Sequence, residues 1–88
     1  MTMCEIRASR IAGRCEEILR EEKVKICNLK NSYENNEFSY KKCKKEFEKS
    51  YKRVVFYDLI LDNLCNTYNM TPSITIGSFS NLKRFFID

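Results

Sequence analysis

The sequence predicts an all-α fold: a long antiparallel helical hairpin with a short C-terminal element. Three observations predict it. Only two glycines and one proline occur in 88 residues, which favours few, long elements. Two stretches of about thirty residues carry apolar positions at helical spacing. One convincing turn, Asn31-Ser32-Tyr33-Glu34-Asn35-Asn36, separates them.

The first helix is expected over residues 3–31. Thr2 followed by Glu5 forms a capping box, in which each side chain satisfies the other's orphan backbone N–H. Met1 and Ile6 occupy hydrophobic-staple positions. The inward stripe reads Cys4, Ala8, Ile11, Cys15, Ile18, Glu22, Ile26, Leu29, Tyr33, and from Ile11 its steps of four and three track a nearly straight helix. Glu16–Arg20 and Glu21–Lys25 stand at favourable i,i+4 spacing on the wet side. Gly13 costs about 1 kcal/mol against alanine inside a helix, and a close helix–helix contact is the ordinary reason for one.

The second helix is expected over residues 37–68, capped by Asn35, Asn36 or Ser39. Its stripe is Tyr40, Cys43, Phe47, Tyr51, Val54, Asp58, Leu61, Cys65, Tyr68. Asn69 suits a left-handed C-terminal stop, with Pro72 beyond it. Each helix would be roughly 45 Å long at 1.5 Å per residue. A short turn between helices of that length makes them antiparallel neighbours, and two such hairpins could pair as a homodimeric four-helix bundle.

The cover segment, 71–88, is open in shape. Ser73-Ile74-Thr75-Ile76 alternates like a strand, yet the chain offers no second strand. Thr71-Pro72 equally reads as an N-cap with proline at the first helical position. Ser80 could cap a final turn carrying Leu82, Phe85 and Phe86.

The most informative stretch is Val54-Val55-Phe56-Tyr57-Asp58-Leu59-Ile60-Leu61. Upstream, Lys41, Lys45, Lys49 and Lys52 share one face of the second helix, with Lys42 and Arg53 beside them. From Val54 that face turns apolar, because Phe56, Leu59 and Ile60 continue the line of the lysines. A helix apolar all round is covered on more than one side. The tail, through Ile74, Ile76, Phe79, Leu82, Phe85 and Phe86, is the expected in-chain cover, with a second copy burying the remainder.

Residues 41–53 hold seven basic and two acidic side chains within a chain of net charge +4. Such a stripe can bind phosphates by releasing counterions. A solvated helix face is the commoner meaning of a charge run. No aromatic residue interleaves on the basic part, which weakens a base-stacking platform.

The remaining chemistry is sparse. Cys4, Cys15, Cys27, Cys43 and Cys65 lie ten or more residues apart, without the close pairs zinc sites use. No histidine is present to activate a thiol. They read as reduced core cysteines of a cytoplasmic protein. With a turn centred near residue 34, Cys4 would face Cys65, and Cys27 would lie near Cys43, as staples if oxidised. The same register places Asp58 near Arg10 and Arg14, and Asp62 near Arg7, as interhelical ion pairs, since buried charges are normally paired. Asp58 and Asp62 at i,i+4 are then salt-bridge partners in preference to catalytic acids. No apolar run is long enough to span a bilayer, and the charged N-terminus lacks a signal-peptide core. No cofactor is implied.

Leu64-Cys65-Asn66-Thr67-Tyr68-Asn69-Met70-Thr71-Pro72-Ser73 resembles the opening of phage-repressor-type helix-turn-helix domains. That resemblance implies a pair of DNA-reading helices after Pro72. The Ile74-Thr75-Ile76-Gly77 segment that follows is poor helix material. The lysine-, asparagine- and tyrosine-rich composition resembles that of products of AT-rich phage, plasmid and poxvirus genomes.

Together these readings predict a non-enzymatic protein-binding module, of the mobile-element type that inhibits or adapts a nucleic-acid-handling host complex by occupying its surface. The expected contact residues are Lys41, Lys42, Lys45, Lys49, Lys52, Arg53, Phe56, Leu59 and Ile60. The alternative is a direct DNA- or RNA-binding regulator that uses the basic stripe.

Overall fold

A computed structural model describes residues 2–87. It is a helical hairpin closed along one flank by its own tail, in the order α1 (Met3–Glu34), α2 (Tyr40–Tyr68), a 3-10 turn (Ile76–Phe79) and α3 (Ser80–Ile87). The molecule measures 51 × 19 × 17 Å, an elongated shape set by two long helices side by side.

The predicted starts and stops are largely present. Thr2 and Glu5 form the capping box, with the Glu5 N–H donating to Thr2 Oγ1 at 3.2 Å. The Met1–Ile6 staple lies outside the described residues. α1 runs three residues beyond its predicted end, to Glu34. Asn36 turns the chain in the left-handed region at φ 61°, as asparagine tolerates. Ser39, one of the three candidate caps, accepts the Lys42 N–H at 3.2 Å and opens α2. Asn69 closes α2 in the left-handed conformation, and its N–H and that of Met70 both reach the Cys65 carbonyl.

The longer α1 moves the register. The turn is centred near residue 37, so the α1 partner of an α2 residue lies about six positions later than a turn at 34 would place it. Three expectations fall with that shift. Asp58 pairs with neither Arg10 nor Arg14; Arg14 instead pairs with Glu17 on its own helix at 3.1 Å. Asp62 forms no ion pair with Arg7 and accepts a hydrogen bond from Asn66. The proposed cysteine partners are out of register, and all five thiols are free.

The tail docks into one of the hairpin's two lateral grooves. Ile74, Phe79, Leu82 and Phe86 are buried there against Leu19, Ile26, Phe47, Val54 and Leu61. Phe86 stacks on Phe47 at 4.7 Å between ring centroids, and the Tyr40 hydroxyl donates to the Phe86 carbonyl at 2.8 Å. The strand reading of 73–76 is corrected, as is a helix starting at Thr71-Pro72: residues 71–75 are irregular, and helical turns begin at Ile76. Ser80 caps nothing as an acceptor; its hydroxyl donates to the Gly77 carbonyl at 2.8 Å. No helix-turn-helix reading pair forms, because α3 has eight residues and turns Leu82 and Phe86 into the core.

Docking on one flank rotates the buried face of α1. The buried set is Ala8, Ala12, Cys15, Leu19, Glu22 and Ile26. Ala12 and Leu19, on the tail's side, are buried in place of Ile11 and Ile18; Ile11 is 50% exposed and Ile18 half-buried. Cys4, also on the predicted stripe, is exposed. A two-helix seam would centre on Ile11 and Ile18; a third element on one side moves the centre toward itself. Gly13 makes no close helix contact, since an added Cβ would meet nothing within 4 Å.

A polar latch holds the tail's first turn. Ser73 donates its backbone N–H to Glu16 Oε2 at 2.6 Å and its hydroxyl to the same oxygen, while the Arg20 guanidinium donates to Ser73 Oγ. Glu16 and Arg20 thus meet through Ser73, with no direct ion pair between them among the described residues. These donors hold the Glu16 carboxyl below its usual range, the Ser73 hydroxyl contributing most and Arg20 least, against partial desolvation. Lys25 pairs with Glu22 at 3.6 Å and not with Glu21.

Candidate interaction surface on the second helix

The tail does not cover the back of α2. Phe56 is 58% exposed and Leu59 59%, with Val55 exposed beside them and Ile60 half-buried. The expectation that residues 74–86 would cover Phe56 and Leu59 is overturned. The reason is geometric. Val54, Asp58 and Leu61 face the hairpin seam and its tail-filled flank, whereas Phe56 lies on the opposite side of α2, about 100° of rotation per residue separating successive positions.

Six of the seven basic residues that precede this patch are exposed, Lys41, Lys42, Lys45, Lys49, Lys52 and Arg53, while Lys44 is half-buried. Lys41, Lys45, Lys49, Lys52, Phe56 and Leu59 follow one another at steps of three and four, so they form one line along the helix. Its first two-thirds is cationic and its last third apolar. Not every cation is equally available. Lys49 pairs with Glu46 at 3.7 Å, and Lys42 lies over the Phe38 ring at 4.1 Å. Arg53 leaves the line altogether and binds Glu22 Oε1 at 3.2 Å across the hairpin. Lys41, Lys45 and Lys52 form no ion pair among the described residues.

Arg53 has structural work in that place. Glu22 is 3% exposed, and its Oε1 takes both Lys25 and Arg53 while Oε2 has no hydrogen-bond partner among the described residues. A buried carboxylate without a cation would be costly, so Arg53 belongs to the fold more than to a free surface. Glu22 at an inward position was visible in the sequence; its partner on α2 was not, because the register was set by the wrong turn centre.

Two of the buried thiols are held in their protonated form. Burial pushes the Cys15 and Cys65 thiols up from their ordinary value, with the Glu16 charge adding to both and that of Asp62 to Cys65. A raised thiol keeps its proton and reacts slowly. Among the described residues no group of His, Cys, Asp and Glu is placed to hold a metal ion. No described helix is long and apolar enough to cross a membrane.

Two features were not read from the sequence. Val55 extends the apolar patch round toward Asp58. A cavity also opens between α1 and the tail, beside Val24, which is 61% exposed. An apolar residue off the predicted stripe was the available signal for it. Neither a known protein family, nor a curated protein, nor a solved structure matches this chain.

Proposed function

We propose that the chain is a non-enzymatic protein-binding module that docks through the back of α2. It acts as an inhibitor or adaptor by occupying its partner's surface. One observation carries the reading: Phe56 and Leu59 stay more than half exposed although the tail has filled a groove and closed the core. Burying a large apolar side chain is worth about 1.5–3 kcal/mol, which a partner's pocket would recover and the folded chain alone does not. Lys41, Lys45 and Lys52, in line with them, select a partner whose apolar socket is bordered by acidic groups. A complex that handles nucleic acid presents such anionic surroundings. Recognition would follow the helix-in-groove mode, with Phe56 and Leu59 as anchors and the lysines as rim.

The test uses the whole chain as bait in lysate of a candidate host, beside Phe56→Asp and Lys45→Glu/Lys52→Glu baits. A partner retained by the natural chain, lost on Phe56→Asp and weakened by the lysine reversals is the expected result. Equal retention by all three baits overturns the reading, as does retention of other copies of the chain alone.

The absence of ion pairs at Lys41, Lys45 and Lys52 among the described residues favours a second reading, direct binding of DNA or RNA through phosphate contacts. Fluorescence anisotropy with random-sequence duplexes and single strands tests it. Binding at low salt that falls steeply as salt is added supports it, and no binding at low salt removes it.

A further inference from the structure

We propose that the cavity between α1 and the tail is a binding site for a small amphipathic anion, one oxyanion head on a short apolar body. The cavity holds about 510 Å³. That falls within the roughly 300–1,000 Å³ of small-molecule sites. Its wall is mixed in a way that fits one ligand class. Val24, Cys27 and Ile74 supply the apolar part, and Val24 is 61% exposed. Arg20 and Lys23, three residues apart on α1, supply two cations, and no carboxylate among the described residues lines the cavity. Lys23 forms no ion pair among the described residues, and Arg20 meets the Glu16 charge only through Ser73, without a direct ion pair.

The polar end is pre-organised. Arg20 is held by Ser73 Oγ, and Ser73 is itself fixed by two hydrogen bonds to Glu16. Lys23 stands beside that latch, and the Asn28 amide and Ser78 hydroxyl supply further neutral groups around the cavity. A bare inorganic anion would leave the exposed Val24 side chain against water. A neutral apolar ligand would desolvate Arg20 and Lys23 without compensation. A head that meets the cations and a body that covers Val24 satisfies both halves. None of the lining residues lies on α2, so this site stands or falls separately from the Phe56 surface.

The test is amide NMR of the full chain titrated with octanoate, octyl phosphate, octanol and inorganic phosphate, repeated on Lys23→Glu and Phe56→Asp. The expected result is saturable shifts at residues 20–28 and 73–78 with octanoate or octyl phosphate. The tighter of the two identifies the head as carboxylate or phosphate. Affinity should fall several-fold in Lys23→Glu, whose spectrum elsewhere stays that of the natural chain, and stay unchanged in Phe56→Asp. Octanol binding as tightly as octanoate, inorganic phosphate binding as tightly as octyl phosphate, or no saturable shift at these residues with either amphiphile overturns the proposal. Undiminished binding in Lys23→Glu overturns it too.

Discussion

The Asp58 carboxylate accepts the backbone N–H of Ile76 at 2.9 Å, joining the middle of α2 to the first residue of the tail's 3-10 turn. That N–H is one of the orphan donors of a helical N-terminus. Thr75, at the capping position, makes no side-chain hydrogen bond to the turn. Asp58 therefore does from another element what a local cap would do. A half-buried acid on an apolar stripe thus has a structural partner in the backbone, where the sequence suggested an arginine.

Replacing Asp58 by alanine should destabilise the chain by about 1–2 kcal/mol, the range for losing a hydrogen bond to a charged group at a half-buried site. Asp58→Asn, which keeps an acceptor oxygen, should cost less. Urea unfolding measures the difference, and amide exchange at Ile76 should accelerate selectively in Asp58→Ala. Glu34→Ala, at the end of α1, serves as the surface control and should shift the midpoint little.

The Ser73 latch predicts an acid response. Glu16 has its pKa lowered in the folded chain, chiefly by the Ser73 hydroxyl. Its stabilising contribution is complete above the ordinary carboxylate pKa of 4.5 and is lost as pH falls through the lower folded value. The amide of Ser73 should report that titration by NMR, with the tail's first turn loosening only under acid conditions. In Ser73→Ala the Glu16 midpoint should move back up toward its ordinary value. An unchanged midpoint would show that Ser73 does not set it.

How far the fold was legible follows from which interactions are local. The capping box at Thr2 and the Asn69 stop each depend on a few neighbouring residues and were readable, whereas Ser39 was one of three candidate caps beside Asn35 and Asn36. The register was not. Asn31 to Asn36 has turn composition, but Asn31 and Ser32 continue α1, and the left-handed residue is Asn36. An error of three residues in the turn centre moves every cross-hairpin partner by about six, which removed Arg10 and Arg14 from Asp58 and hid the Glu22–Arg53 pair. The lysine line and the apolar patch were readable because one helix carries both. Their exposure was not, because it depends on which groove the tail chooses.

Gly13 gives a test of the corrected packing. With nothing within 4 Å of an added Cβ, alanine there enters open space. Gly13→Ala should stabilise the chain by about 1 kcal/mol through helix propensity alone. For a domain of this size that corresponds to a melting temperature roughly 4–8 °C higher. Destabilisation would mean that another molecule approaches α1 closely at Gly13.

The tail should be required for a cooperative fold. Phe79 and Phe86 are fully buried, and Phe86 stacks on the fully buried Phe47. Phe86→Ala should cost about 3–5 kcal/mol. A chain of this length has roughly 4–13 kcal/mol in total. Truncation after Tyr68 removes both phenylalanines with Ile74 and Leu82, exposing Phe47 and Val54. The truncated chain should aggregate or melt without a sharp transition. A sharp, monomeric transition equal to that of the full chain would mean that the hairpin core does not depend on the tail.

Phe56 and Leu59 should behave in the opposite way, and the contrast separates a core role from a surface one. Both side chains are already more exposed than buried, so a charge at either position displaces little packing. Phe56→Asp and Leu59→Asp should each leave helicity unchanged and shift stability by no more than about 0.5 kcal/mol, the range for surface substitutions. Phe47→Asp, four residues before Tyr51 on the buried stripe, should unfold the chain, because it places an unpaired charge where the side chain is fully enclosed. Circular dichroism and urea midpoints distinguish the three. Retained stability with lost partner binding in Phe56→Asp places binding on the back of α2. A large loss of stability in Phe56→Asp, matched by a natural chain whose own stability falls on dilution, would instead place a second copy of the chain on that face.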